Sequence, residues 1–369
     1  MATILIQNVT VLDLLERKEK SCDLWIEHGK LQKIRPAGSL AGADHTVDGT
    51  GYYATSGWLD AHAHLYASDH TIGVDGSAML KDGVTLAVDA GTAGPGNFED
   101  FCTNTMERAH IRELAYLNLA YMGLDRRFGE LQDLGTVSPE RCCRVIQAHP
   151  DQILGLKLRI DPRVCSDPEG ALELAAEISC KTGKPFVVHP SRCELPIERI
   201  VSHMKKGDIY AHSFANKAPG ILDGQGKLKP AVLEARARGV QFDLSHGNGN
   251  FSFQVAQKAL EQGFLPDAIS TDLHTGSRDK VQSLALVMSK MLACGLDLWN
   301  VLDLVTWKAA GMLGLPGGKT LQEGEAANLT FFRVREENFR FFDSDGMPMH
   351  GRQLIEPIGA VFGETSVGM

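Results

Sequence analysis

His62 and His64 stand at i and i+2 in Asp60-Ala61-His62-Ala63-His64. On a strand, that spacing points both imidazoles to one side. Lys157 lies inside Gly155-Leu156-Lys157-Leu158-Arg159. His189 closes Phe186-Val187-Val188-His189, His212 closes Ile209-Tyr210-Ala211-His212, and Asp272 closes Ile269-Ser270-Thr271-Asp272. Each stands where an apolar run stops. Taken singly, they read as loop polar residues, a strand-capping histidine or a turn aspartate. Jointly, four histidines, a lysine and an aspartate in equivalent positions are hard to reconcile with chance. Imidazole nitrogen and carboxylate oxygen suit zinc and similar divalent ions. A lysine amine inside an apolar strand is desolvated, which favours its neutral form. A neutral amine can add to CO2 and give a carbamate, an anionic bidentate group able to join two metals. Arg159, two residues beyond Lys157, should point the same way, either gripping a substrate carboxylate or pairing with a neighbouring acid. His246 and His274 also sit at run ends, as substrate contacts or as hydrogen-bonded supports.

These residues need a scaffold that brings the ends of many strands together. Apolar runs of four to seven residues recur at 57–61, 84–89, 116–121, 153–159, 185–189, 208–212, 240–245 and 268–272. Most are continuously apolar, as parallel strands covered on both faces should be. Amphipathic segments such as 168–182 and 230–238 lie between them. Strand alternating with helix eight times predicts an α/β chain folded as a (β/α)8 TIM barrel, with polar strand ends gathered at one mouth. An open doubly wound sheet is the competitor, but no Gly-x-Gly-x-x-Gly follows the first run. Long helices are expected over 280–292 and 298–313. Short β-rich runs at 4–6, 24–26 and 31–34 and a β-like run at 328–333 flank this middle. Neither end alone holds enough apolar residues for a core, so residues 1–53 and 318–369 are expected to join in one small β-sandwich domain beside a barrel of 54–317.

The order His-x-His, Lys, His, His, Asp on runs one, four, five, six and eight resembles the amidohydrolase superfamily, and within it the binuclear dihydroorotase- and hydantoinase-like branch. The resemblance spans nearly the whole chain. The runs around Lys157, His212 and Asp243-Leu244-Ser245-His246-Gly247 are most similar to a subgroup labelled dihydroorotase or adenine deaminase by analogy, whose members act on acylated small carboxylic acids. The resemblance implies that His62, His64 and Asp272 hold the more buried of two divalent metals, zinc being favoured. His189 and His212 would hold the other, and carboxylated Lys157 would bridge them. A hydroxide between the metals would attack the scissile carbonyl, with Asp272 shuttling its proton to the leaving group. Tyr121, expected at the end of the third run, would match an oxyanion-binding tyrosine of related hydantoinases. Dihydroorotases of this kind carry a carboxylate-gripping arginine two residues after the second histidine. Here that run is His64-Leu65-Tyr66. Ser56 and Asn328 replace a usual proline and aspartate of the scaffold. The expected function is hydrolysis of an amide or ester bond in a small acylated carboxylic acid. A cyclic-amide hydrolase or deaminase on the same scaffold is the alternative, and a metal-free relative the third reading.

Composition narrows the field. Lys+Arg 37 against Asp+Glu 46 gives a net charge of -9, a poor surface for nucleic acid. Hydrophobic residues at 43% and charged residues at 22% describe a chain with a large core. No run reaches the roughly 18 apolar residues of a membrane span, and the start lacks the basic and apolar stretches of a signal peptide. The eight cysteines are scattered without a Cys-x-x-Cys, which suggests reduced thiols and a cytoplasmic setting. A small-molecule substrate and a homo-oligomeric state are expected, with neither nucleic acid nor membrane as partner.

Overall fold

A computed structural model describes residues 3–68 and 70–368. Five strands open the chain: β1 (Ile4–Asp13), β2 (Lys18–Glu27), β3 (Lys30–Pro36), β4 (His45–Asp48) and β5 (Tyr53–Ser56). Seven follow through the middle: β6 (Trp58–Ala63), β7 (Val84–Asp89), β8 (Arg112–Asn118), β9 (Ile153–Arg159), β10 (Phe186–His189), β11 (Ile209–Tyr210) and β12 (Gln241–Phe242). The last three are β13 (Asn328–Phe342), β14 (Pro348–Phe362) and β15 (Thr365–Val367).

Strands β6 to β12 form one parallel sheet in sequential order. Every residue of β6 is buried, as expected of a strand covered on both faces. Residues 268–273 do not form a strand, yet they join the two edges of this sheet. A parallel bridge links Asp243 to Ala268, and another links Ala63 to Leu273. The Asp272 N–H donates to the His62 carbonyl at 2.6 Å, and the His246 N–H donates to the Ser270 carbonyl at 3.2 Å. Leu59, Ala61, Val88, Leu114, Tyr116 and Val187 pack together in one cluster beneath the site.

Both chain ends meet in a second sheet of eight strands, ordered β15-β14-β13-β5-β1-β2-β3 with β4 beside β1. Its own core includes Ile6, Leu24, Ile26, Leu329 and Phe331.

Local signals explain the helix at Pro168–Thr182. Asp167 caps it by accepting from the Gly170 N–H at 3.0 Å, Pro168 sits at its first turn, and Gly183 ends it at φ +70°. Two expectations need correction. The long helix over 280–292 is broken into Arg278–Val281 and Leu284–Ala293, because Gln282 takes φ +58° and Ser283 starts a new cap on the Leu286 N–H. The one over 298–313 is likewise two pieces, Leu298–Asp303 and Trp307–Met312, interrupted at Thr306 (φ -129°, ψ -110°). The third strand of the middle sheet ends at Asn118, which leaves Tyr121 beyond it.

Candidate active site

Strand ends gather the chemistry. His62 lies on β6 and His64 just past it, Lys157 on β9, His189 at the end of β10, His212 two residues after β11, and Asp272 on the segment that joins β12 to β6. His62, His64 and Asp272 place one ligand atom each within 4.8 Å of one another. His64 Nε2 is 3.2 Å and His62 Nε2 3.7 Å from Asp272 Oδ1. Lys157 Nζ is 3.2 Å from His62 Nε2, and His212 Nε2 is 2.7 Å from His189 Nδ1. His212 and Asp272 take φ +60° and +50°, and Ser245 nearby takes +46°. Left-handed backbone at non-glycine residues is strained, and here it clusters where side chains must turn into the mouth.

The outer ring nitrogens decide what the inner ones can do. Asp243 Oδ2 accepts the Nδ1 proton of His62 at 3.1 Å, with Ser245 Oγ beside it at 2.9 Å. His64 Nδ1 meets Thr92 Oγ1 at 2.8 Å, and His212 Nδ1 donates to the Ser245 carbonyl at 2.8 Å. With Nδ1 occupied, Nε2 of each ring is left with a lone pair facing inward, the arrangement a divalent cation requires. Burial, then the neighbouring imidazole, drives His189 well below the usual histidine range. Burial above all takes His212 down to about 3. Both rings are therefore neutral and able to ligate. Burial alone would raise Asp272, but the contact with His64 and the fields of His62 and His212 hold it well below the usual carboxylate range. Asp243, also raised by burial, is brought below that range by His62, Ser245 and Ser270. Lys157 is 1% exposed, and burial lowers its amine to about 8. Among the described residues no carboxylate lies within 4 Å of it. The donors at His62, His64 and Asp272 thus fit a divalent cation: imidazoles hydrogen-bonded at their outer nitrogens and an ionised carboxylate.

A cavity of about 340 Å3 opens above this cluster, bordered by Ile72, Ser191, Asn248 and His274 among others. Arg159 also borders it, but its Nε donates to Glu130 Oε2 at 3.0 Å and its Nη2 to Oε1. His274 accepts from the Gly276 N–H on Nδ1 at 3.0 Å and stands edge-on to His64. His246 is not brought to the cavity. It is fully buried, stacked on Phe251, and its Nε2 accepts from Lys290 Nζ at 2.8 Å. Tyr121 is not brought there either. It is 42% exposed with the Arg141 guanidinium over its ring. Tyr66, standing where a gripping arginine would be, points away and donates to Asp100.

Sequence reasoning missed Asp243, Ser245 and Thr92, which fix the histidine tautomers. Asp243 was detectable, because a charged residue inside an apolar run is the same signal that marked Lys157. Thr92 carried no such mark. The glycines were also silent. A Cβ on Gly91 would stand 2.5 Å from Lys157 Cβ, and one on Gly247 would stand 2.3 Å from Asp272 Oδ2.

No protein-family profile matches the chain. A deacetylase of Enterococcus faecalis is 32% identical over 339 residues, 89% of this chain and 89% of that protein. A deacetylase of Brucella anthropi is 30% identical over 99% of this chain and 92% of that protein. Among solved structures, a dihydroorotase superposes with TM-score 0.91 at 29% identity, covering 100% of this chain and 98% of its own. An adenine deaminase gives TM-score 0.88 at 30% identity, covering 98% of each. An L-hydantoinase of Arthrobacter aurescens, at 15% identity and TM-score 0.69 over 100% of this chain and 96% of its own, shares the fold. With relatives of this identity matched along nearly their whole length, the chain belongs to the amidohydrolase superfamily, as a metal-dependent hydrolase of its dihydroorotase- and hydantoinase-like branch.

Proposed function

We propose that the protein is a deacylase of small carboxylic acids, cleaving an amide or ester bond with two divalent metals, zinc foremost. The observation that carries this reading is the convergence of His62, His64, Lys157 and Asp272 with the outer histidine nitrogens already satisfied. His62, His64 and Asp272 would hold one ion, His189 and His212 the other, and Lys157 as a carbamate would lie between them. Two such ions supply Lewis acidity to the attacking water and to the scissile carbonyl. Asp243 and Ser245 keep His62 in the tautomer that faces inward. Asp272 turns Oδ1 to the imidazoles, which leaves Oδ2 to take the water's proton and return it to the leaving group. The deacetylase names of the curated relatives favour an acetyl or similarly small acyl group. The absence of an arginine at Tyr66 speaks against dihydroorotate, although relatives with the dihydroorotase and adenine deaminase names keep a cyclic-amide hydrolase or deaminase as the second reading.

In this reading the middle sheet, joined through 268–273, is a (β/α)8 barrel of residues 54–317. The sheet of both chain ends, 1–53 with 318–369, is a β-sandwich domain. No helix among the described residues is long and apolar enough to cross a membrane. A cytoplasmic homo-oligomer acting on a small molecule fits that observation. A hydrolysis screen of zinc-loaded protein tests the proposal, using N-acetyl amino acids and O-acetyl hydroxy acids of both configurations, hydantoins, dihydroorotate and adenine. Turnover led by an acylated acid supports it. Turnover led by adenine with ammonia release, or by a cyclic ureide, replaces it with the second reading.

A further inference from the structure

The chain is acidic overall, yet the cavity above the cluster is cationic. Beside Lys157 at the cluster itself, Arg159, Arg163, Arg192 and Lys217 all border it, and among the described residues its only acid is Asp272. Two of the four cations are already neutralised. Arg159 is held by Glu130, and Arg163 donates from Nε to Asp161 Oδ1 at 2.8 Å and from Nη2 to Oδ2 at 2.5 Å. Among the described residues, no carboxylate lies within 4 Å of Arg192 or Lys217. Among them the Lys217 amine donates only to the Gly249 carbonyl. Burial, and next the charge of Arg192, pull it below the usual lysine range against the opposing field of Asp345.

Two cations on one cavity with no described carboxylate in contact, one of them partly desolvated, form an anion receptor. Their places in the chain say how an anion would lie. Arg192 is three residues past His189 and has φ +57°, and Lys217 is five residues past His212. Both therefore rise from the loops that follow β10 and β11. The loop carrying Gly249 backs Lys217: a Cβ at Gly249 would fall 2.7 Å from its Nζ.

We propose that Arg192 and Lys217 together bind the carboxylate of the substrate, on the β10 and β11 side of the mouth. Arg159, paired with Glu130, is a wall of the cavity in this arrangement. The inference rests on the deacylase reading for the identity of the acid as substrate, but the receptor can be tested without turnover.

Binding is measured by calorimetry on zinc-loaded protein, with a panel of N-methanesulfonyl amino acids, whose sulfonamide replaces the scissile acyl bond, and their carboxamides as probes. The wild type should bind the acids more tightly than the amides. Arg192→Ala and Lys217→Ala should each weaken acid binding about 10- to 100-fold, the range of a lost charge-assisted hydrogen bond, and leave amide binding unchanged. Arg192→Lys should restore part of the loss. Both side chains reach from surface loops, so unchanged melting confirms intact variants. Three results would overturn the proposal: a wild type with no preference for the acids, variants that bind them as the wild type does (as capture by metal alone would give), or equal weakening of acid and amide. Turnover is read separately. Arg192-dependent binding by a protein that hydrolyses none of the matching N-acetyl amino acids would keep the receptor and discard the deacylase reading.

Discussion

Gly247→Ala should disable the site while leaving the fold standing. Gly247 has φ +55°, and an added methyl would fall 2.3 Å from Asp272 Oδ2 and 3.3 Å from Asn250 Nδ2. Left-handed backbone at an alanine costs about 1–2 kcal/mol. The larger effect is steric. To reach ordinary contact the carboxylate must retreat by roughly 1 Å, because non-bonded atoms settle near 3.5 Å. Displacement of that size at a reacting group costs about a hundredfold in rate. Gly314→Ala is the control. Its φ is +69° with nothing within 4 Å of a new Cβ, so it bears the backbone strain alone. Both variants should therefore fold, Gly247→Ala with the larger loss of stability because it adds the clash to the strain, while kcat/KM on the best acylated acid falls about a hundredfold only for Gly247→Ala. Zinc retained by Gly247→Ala should fall as well. A Gly247→Ala enzyme within threefold of wild type would refute the positions assigned to Oδ2 and to the loop above it.

Asp243→Asn removes the charge and leaves one acceptor oxygen where His62 and Ser270 now use two, so the hold on His62 weakens and metal affinity should drop about 10- to 100-fold in a chelator competition. Lys157→Ala should lose most activity, with partial recovery on adding acetate or propionate. Lys157→Arg should stay inactive, because a guanidinium remains charged and cannot carboxylate. Glu113 gives a pH test away from the chemistry. It is 7% exposed, neither carboxylate oxygen has a hydrogen-bond partner among the described residues, and burial, then Asp89, raises it to about 8. The folded protein thus binds this proton more tightly than the unfolded chain, so the group lowers stability progressively from the ordinary glutamate range up to about pH 8. Glu113→Gln should flatten that slope and raise stability at pH 8 by a few kcal/mol in denaturant melts. An unchanged slope would contradict it.

The parallel sheet was legible because its strands are continuous apolar runs, and β9 matches the run read from sequence at both ends. The gathering of His62, His64 and Asp272 was legible because polar residues closing such runs stand out. The eighth run was found as a segment, although hydrogen bonds with β6 and the stretch after β12 hold it without regular strand geometry. Tyr121 was misplaced because the apolar run continues past Asn118, where the strand ends and the chain turns. The two helix breaks were hidden too. Gln282 and Thr306 adopt backbone angles that nothing in their residue type announces. Side-chain pairing across distant loops, such as Arg159 with Glu130, was also beyond the pattern, and so the open cations proved to be Arg192 and Lys217.

The central claim is a two-metal hydrolytic centre bridged by a modified Lys157. Native mass spectrometry of zinc-loaded protein, paired with turnover of the best acylated acid, tests it most directly. Two zinc ions and one CO2 adduct per chain are predicted, with activity rising as the second ion binds and both the adduct and the activity missing from Lys157→Arg. A chain that stays near zero metal after reloading would contradict the account, as would full turnover with an unmodified Lys157.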